Sequence, residues 1–172
     1  CTNLSFNEYE NGKYLGNDDN PYLVLVTTKT KDFTEFTFAD GVKFIIDSAF
    51  AGCEGLESIT LPDSLTNIGV QAFYCCTSFV SITIPNSITS IGNLAFSSCS
   101  SLTSITIPDS VTSIGEKAFY NCTGLASITI PDSVTRIDSY AFENCTSLEK
   151  ISLPDSVTFI GKGTFTGCTS LK

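Results

Sequence analysis

Three residue types recur at a common spacing of 23 residues through most of this 172-residue chain. The cysteines that keep this spacing are Cys53, Cys76, Cys99, Cys122, Cys145 and Cys168. A phenylalanine precedes each of them by three residues, and a proline keeps the same step from Pro62 to Pro154. Because three residue types share one period, chance can be set aside. A fixed period of this length is the sequence signature of a repeat architecture.

The array divides into six units of equal length. The unit at residues 102–124 reads LTSITIPDSVTSIGEKAFYNCTG. Its counterparts lie at residues 33–55, 56–78, 79–101, 125–147 and 148–170, and Leu171 and Lys172 begin another. The first unit is the least regular and has Ala39 in place of the proline. We therefore predict that residues 33–172 form one continuous array of six units plus the start of a seventh.

The first third of each unit predicts a β-strand with one buried face. Ile105 and Ile107 alternate with Ser104 and Thr106, which is the period of a half-buried strand. Pro108 follows and ends the strand, because proline donates no hydrogen bond to a ladder. Asp109 and Ser110 follow, and we interpret both as turn residues whose side chains bond nearby backbone N–H groups.

The last third of each unit predicts a compact turn. Gly115 favours a turn with positive φ, and the spacing of Ala118, Phe119 and Cys122 fits one turn of helix. A single unit cannot bury its own apolar residues, so the units must stack on one another. The sequence thus predicts a right-handed solenoid with a parallel β-sheet on one face and short helical turns on the other.

Residues 1–32 predict an oversized repeat that contains an antiparallel hairpin or meander. The sequence CTNL at residues 1–4 matches the junctions between units, which read CTGL at residues 122–125 and CTSL at residues 145–148. The sequence ENGK at residues 10–13 is typical of a type I′ hairpin turn, and residues 22–26 form an apolar strand. Two interpretations stay open: the segment caps the array, as open solenoids require, or it is an insertion within a longer array.

The pattern LxxIxIPxSVxxIGxxAFxxC resembles the 23-residue leucine-rich repeats of BspA-like, treponemal-type surface proteins. The match covers residues 33–172, with minor departures at Phe79, Asn86 and Thr164. The sequence YLGNDDNPYLVLV at residues 14–26 is similar to an element often found in such proteins. The resemblance implies a leucine-rich repeat fold, a cell-surface or secreted location, and a role in recognition or adhesion, without naming a ligand.

Composition argues against several other functions. The 18 acidic and nine basic residues give a net charge of −9, which disfavours nucleic acids and anionic membranes as partners. The chain has no histidine, so it lacks the most common general base and metal ligand. No apolar run approaches the ~20 residues of a membrane span. We expect no enzyme activity, no cofactor and no membrane insertion.

The cysteines predict a structural ladder. Zinc sites need cysteines in tight pairs, whereas a 23-residue step places them in a line with parallel side chains. We therefore expect small buried residues with free thiols. Cys75 lies outside this line and is the best candidate for a reactive thiol.

The outward residues of the predicted sheet are the candidate ligand surface. They are Ser58, Thr60, Ser81, Thr83, Ser104, Thr106, Ser127, Thr129, Lys150 and Ser152. Four aromatic residues are further candidates for contacts: Tyr74, Tyr120, Tyr140 and Phe159.

Two hypotheses for function follow. The first is recognition of an extracellular protein or glycan, and a patch of residues that departs from the repeat on one face would support it. The second is a structural spacer that displays another domain, which the regularity of the array favours. The unfinished last coil also predicts end-to-end self-association.

Overall fold

Parallel strand pairing at a constant offset of 23 residues organises the computed structural model, which describes residues 4–172. The strands in this range are β1 Ser5–Tyr9, β2 Gly12–Gly16, β3 Val24–Thr28, β4 Glu35–Phe36, β5 Phe44–Ile45, β6 Ser58–Ile59, β7 Asn67–Ile68, β8 Ser81–Thr83, β9 Ser90–Ile91, β10 Ser104–Thr106, β11 Ser113–Ile114, β12 Ser127–Thr129, β13 Arg136–Ile137, β14 Lys150–Ser152 and β15 Phe159–Ile160. Together they form a β-solenoid of about six coils, as the sequence period predicts.

The first strand of each coil shows the predicted alternation. Ile105 of β10 is buried, whereas Ser104 and Thr106 on either side of it are exposed. Strand β10 pairs in parallel with β8, β12 with β14, and β4 with β6, always in the 23-residue register. The predicted parallel pairing is therefore confirmed, but these strands form three two-stranded sheets and not the single sheet that the sequence predicts.

A second column of two-residue strands runs along the solenoid. Strands β9, β11, β13 and β15 form a parallel sheet, and β5 pairs in parallel with β7. Strand β3 pairs with β5 on one side and with the antiparallel β1–β2 hairpin on the other. The hairpin turn falls at Glu10 and Asn11. The segment before the array therefore extends this second column by direct hydrogen bonding.

The predicted helical turns on the other face are wrong, because residues 4–172 contain no helix. The turn segment of each coil instead holds two residues with positive φ, such as Lys117 (φ 55°) and Asn121 (φ 58°). A left-handed residue at every fourth position interrupts the dihedral angles that a helix needs. The backbone bonds accordingly run between coils: the N–H of Phe119 donates to the carbonyl of Ala141 at 2.8 Å.

The structure gives a different explanation for glycine at position 115 from the positive φ that the sequence predicts. Its φ is not positive, and neither is that of Asp138 one coil later. A Cβ on Gly115 would lie 2.8 Å from the backbone nitrogen of Asn93 and 2.9 Å from the carbonyl carbon of Gly92. The glycine therefore allows the preceding coil to approach this position closely.

We expect Gly115→Ala to lower the free energy of unfolding by about 1–3 kcal/mol, because the preceding backbone must shift. The matched control is Gly92→Ala in the same column, where the nearest atom would be the Ile68 carbonyl oxygen at 3.4 Å. That variant is expected to be neutral or slightly stabilising. Urea unfolding of both variants tests the difference, and equal effects would contradict the steric explanation.

Stacked phenylalanine rings fill the core of the array. Phe73, Phe96 and Phe119 are fully buried. Their ring centroids lie 5.3 and 5.7 Å apart, with interplanar angles of 2° and 5°. The stack continues at both ends, from Phe50 to Phe165. Each coil therefore packs its largest side chain directly on that of its neighbours.

The cysteines form a buried ladder of free thiols. Cys53, Cys76, Cys99, Cys122 and Cys145 are buried and Cys168 is half-buried, with no disulfide among them. Each thiol from Cys76 onward donates to the phenylalanine carbonyl oxygen of the preceding coil at 3.1–3.2 Å. The thiols thus act as hydrogen-bond donors between coils as well as filling space. Cys75 is half-buried, outside the ladder.

Candidate binding surface

The structure brings all ten sequence-predicted surface residues onto one face. We call this set, from Ser58 to Ser152 as given above, the hydroxyl face. All ten side chains are exposed. The register aligns Ser81 with Ser104 and Thr83 with Thr106, and it aligns Thr129 with Ser152, so equivalent hydroxyls lie side by side in paired coils.

A shallow groove runs across this face. Its central part has a volume of 570 Å³ and is lined by Ser58, Thr60, Ser81, Thr83, Ser104 and Thr106. An adjoining groove of 450 Å³ extends over Phe36 and Phe38 of the first coil, and another of 380 Å³ extends toward Asp109. These grooves share lining residues with the central one, so they form a single depression over the first four coils.

The hydroxyls of this face differ from the other hydroxyls of the repeat in one respect. In the described part of the chain, they make no intramolecular hydrogen bond. By contrast, Ser110 and Ser133 donate to the carbonyl oxygen of the preceding coil at 2.6 Å, and Thr112 does so at 3.2 Å. The repeat therefore holds some hydroxyls in its own scaffold and leaves those of the hydroxyl face available to a partner.

The hydrogen bonds also show that the interpretation of the aspartates after the prolines was wrong. Within residues 4–172 the carboxylates of Asp63, Asp109, Asp132 and Asp155 accept no hydrogen bond. The serine after each aspartate donates to a carbonyl oxygen of the preceding coil, as Ser110 does to Ile88, and not to a nearby backbone group as expected of a turn residue. The sequence did not distinguish these neighbours, because both are common turn residues.

The four candidate aromatic residues do not join the hydroxyl face. Tyr74, Tyr120 and Tyr140 lie in the turn segments, where Lys117 Nζ sits 5.5 Å from the ring of Tyr120 and 5.6 Å from that of Tyr140. Phe159 lies in the second strand column, beneath the guanidinium of Arg136 at 4.1 Å. Tyr120 and Tyr140 thus share one cation–π group and Phe159 belongs to another.

A small apolar patch, which sequence reasoning missed, lies elsewhere on the array. Phe44, Ile46 and Val70 are each 39–40% exposed. Phe44 and Ile46 line a groove of 420 Å³ together with Val24. Most other coils place polar residues or glycine at these positions. The signal for the patch was therefore present in the sequence as a departure from the repeat.

Metal-binding clusters and membrane-spanning helices are both lacking among residues 4–172. No group of three or more cysteine, aspartate or glutamate side chains in this range is arranged to hold a metal ion. The same range offers no helix suited to crossing a membrane.

Comparison with known proteins identifies the repeat. The model of the BspA type leucine rich repeat region matches in six copies, over residues 28–145 and 89–172. No curated protein matches the chain.

Several solved structures share the fold. A leucine-rich repeat protein from Bacteroides ovatus is 34% identical over 98% of this chain, with a TM-score of 0.77. One from Eubacterium ventriosum is 28% identical over 95%, with a TM-score of 0.78. The T. pallidum leucine rich repeat protein is 26% identical over 99%, with a TM-score of 0.72. The chain spans 44%, 50% and 88% of these three proteins, respectively.

Proposed function

Because the chain belongs to the BspA-type leucine-rich repeat family, we propose that it is a non-enzymatic recognition module, displayed at the cell surface or secreted. Its partner is an extracellular protein or glycan, and the hydroxyl face is the contact surface. The availability of the hydroxyls on this face supports the proposal most directly. An extended solenoid surface of this kind suits a long or repetitive partner.

The groove on the hydroxyl face also supports a role in recognition. The groove exposes the hydroxyls of Ser58, Thr60, Ser81 and Thr83 along its length, whereas Ile59 and Ile82 of the same strands are buried. The apolar patch at Phe44, Ile46 and Val70 also meets the sequence criterion for recognition, since it departs from the repeat on one face.

We expect substitution of four threonines on the hydroxyl face by lysine to abolish binding without unfolding the chain. The variant combines Thr60→Lys, Thr83→Lys, Thr106→Lys and Thr129→Lys, and all four side chains are exposed. The biotinylated chain and the variant are compared on an array of extracellular-matrix proteins, mucins and glycans. A saturable signal that the variant loses supports the proposal.

The matched control places four lysines on the second strand column, as Thr66→Lys, Thr89→Lys, Thr112→Lys and Thr135→Lys. These positions are exposed as well, and the first coil already has Lys43 there. The control is expected to bind normally. A signal that both variants keep would move the site to the apolar patch or the turn segments.

A second candidate function is the structural spacer. Hydrogen bonds between coils recur along the array, for example from Phe96 to Ala118 and from Phe119 to Ala141. Such continuity favours a stiff rod. Absence of any saturable signal on the array would favour this function over recognition.

A further inference from the structure

We propose that the hydroxyl face binds an extended, basic segment of a partner polypeptide. The proposal rests on the proposed function and specifies its partner. It follows from the distribution of charge over the solenoid, from the freedom of the carboxylates concerned, and from the length of the groove.

The negative charge of the chain is concentrated around the hydroxyl face. The strand segments of the six coils are residues 34–40, 57–63, 80–86, 103–109, 126–132 and 149–155. They contain eight acidic residues and one basic residue, a net charge of −7 out of the −9 of the whole chain. The acidic residues are Glu35, Asp40, Glu57, Asp63, Asp109, Asp132, Glu149 and Asp155.

These carboxylates have no cation to neutralise them. All eight are exposed, and the ion pairs of residues 4–172 lie elsewhere, between Lys29 and Glu8 and between Arg136 and Asp138. Lys150 is the one basic residue of the strand segments. The carboxylates therefore remain available to an external partner.

The carboxylates border the strands on two sides. Glu57 and Glu149 precede the strands of their coils, whereas the aspartates follow the strands: Asp40 follows Ala39, and Asp63, Asp109, Asp132 and Asp155 follow the prolines. Asp63 also lines the central groove. A partner lying along the groove would therefore have carboxylates on both flanks and hydroxyls beneath it.

The dimensions fit a short polypeptide segment. Strands of neighbouring coils lie ~4.8 Å apart, so the four coils under the groove span about 14 Å, the length of about four extended residues. The five coils of the hydroxyl face span about 19 Å, the length of about six extended residues. The free hydroxyls can pair with the backbone of such a segment, and the carboxylates with its lysine or arginine side chains. Sulfated or sialylated glycans would instead meet like charge, which disfavours association.

The test uses a fluorescein-labelled ten-residue peptide of alternating lysine and serine, titrated with the whole chain in 50 mM NaCl. The first variant combines Asp63→Asn, Asp109→Asn and Asp132→Asn. The matched control combines Glu10→Gln, Glu116→Gln and Glu143→Gln, and so removes the same charge away from the hydroxyl face. A glutamate–serine peptide and heparin serve as anionic probes.

We expect the aspartate variant to weaken peptide binding by about tenfold or more, since each exposed ion pair contributes modestly. We expect the control to stay within about twofold, and binding to weaken in 300 mM NaCl because salt screens exposed charges. Equal losses in the two variants would overturn the proposal, because the attraction would then be spread over the whole chain. Tighter binding of heparin than of the basic peptide would also overturn it.

Failure of this inference is distinguishable from failure of the proposed function. A partner on the array that is lost in the threonine-to-lysine variant, together with no peptide binding, would leave the hydroxyl face as the site and refute its preference for a basic segment. Absence of both signals would refute both proposals.

Discussion

Replacement of Phe96 by alanine is expected to lower the free energy of unfolding by about 3–5 kcal/mol. The ring is fully buried and stacks on Phe73 and Phe119 in the neighbouring coils. Its removal leaves a cavity at the contacts with both neighbouring coils. Truncation of a buried phenylalanine to alanine typically lowers the free energy of unfolding by this amount. Urea unfolding followed by circular dichroism measures the change.

Two controls test whether position in the stack sets the cost. Phe6 is 63% exposed on β1, so Phe6→Ala should change stability by less than about 0.5 kcal/mol. Phe165 is half-buried and stacks on Phe142, so Phe165→Ala should fall between the two. If Phe96→Ala were no more destabilising than Phe165→Ala, the ring stack would not be the main contact between coils.

The 23-residue period and the alternation of apolar and polar residues made the stacked array predictable from the sequence. Alternation around Ile105 needs only the two-residue period of a strand, and the repeat length then fixes which strands pair. The second column escaped prediction because strands such as Ser113–Ile114 are two residues long. A period cannot be recognised over so few residues.

The turn face could not be predicted, because its conformation depends on contacts between coils. Lys117 and Asn121 adopt positive φ, although nothing in their side chains demands it. Hydrogen bonds to the next coil hold them there, as between the N–H of Lys117 and the carbonyl of Ser139 at 3.1 Å. Such bonds outweigh the local preference of AFYNC for one turn of helix.

The hydroxyl face was predictable as a set of outward side chains, but its chemistry was not. Ser104 and Ser110 are the same residue type six positions apart in one unit. Only the structure shows that Ser110 is used within the scaffold, whereas Ser104 lies exposed at the groove. The grouping of the acidic residues around the same face also depends on how the coils stack.

Alkaline pH is expected to destabilise the chain through its buried thiols. Burial raises the pKa of Cys99 and of Cys145 from 9.0 to about 12, and it raises the pKa of Cys76 and of Cys122 as well. The thiols of the unfolded chain ionise near pH 9, while those of the folded chain stay protonated. Their contribution to stability is thus fully present below pH 9 and is lost as the pH rises toward the folded pKa values.

At pH 10 each thiol is expected to lower the folding equilibrium constant about tenfold, which amounts to a loss of about 6 kcal/mol for the four together. Urea unfolding at pH 8 and pH 10, in the presence of a reductant, measures it. Cys122→Ala removes one buried thiol and should reduce the pH-dependent loss by about a quarter. Cys75→Ala removes the half-buried thiol outside the ladder and should leave the loss unchanged. If the two variants respond alike, titration of other groups and not the thiol ladder sets the alkaline limit of the fold.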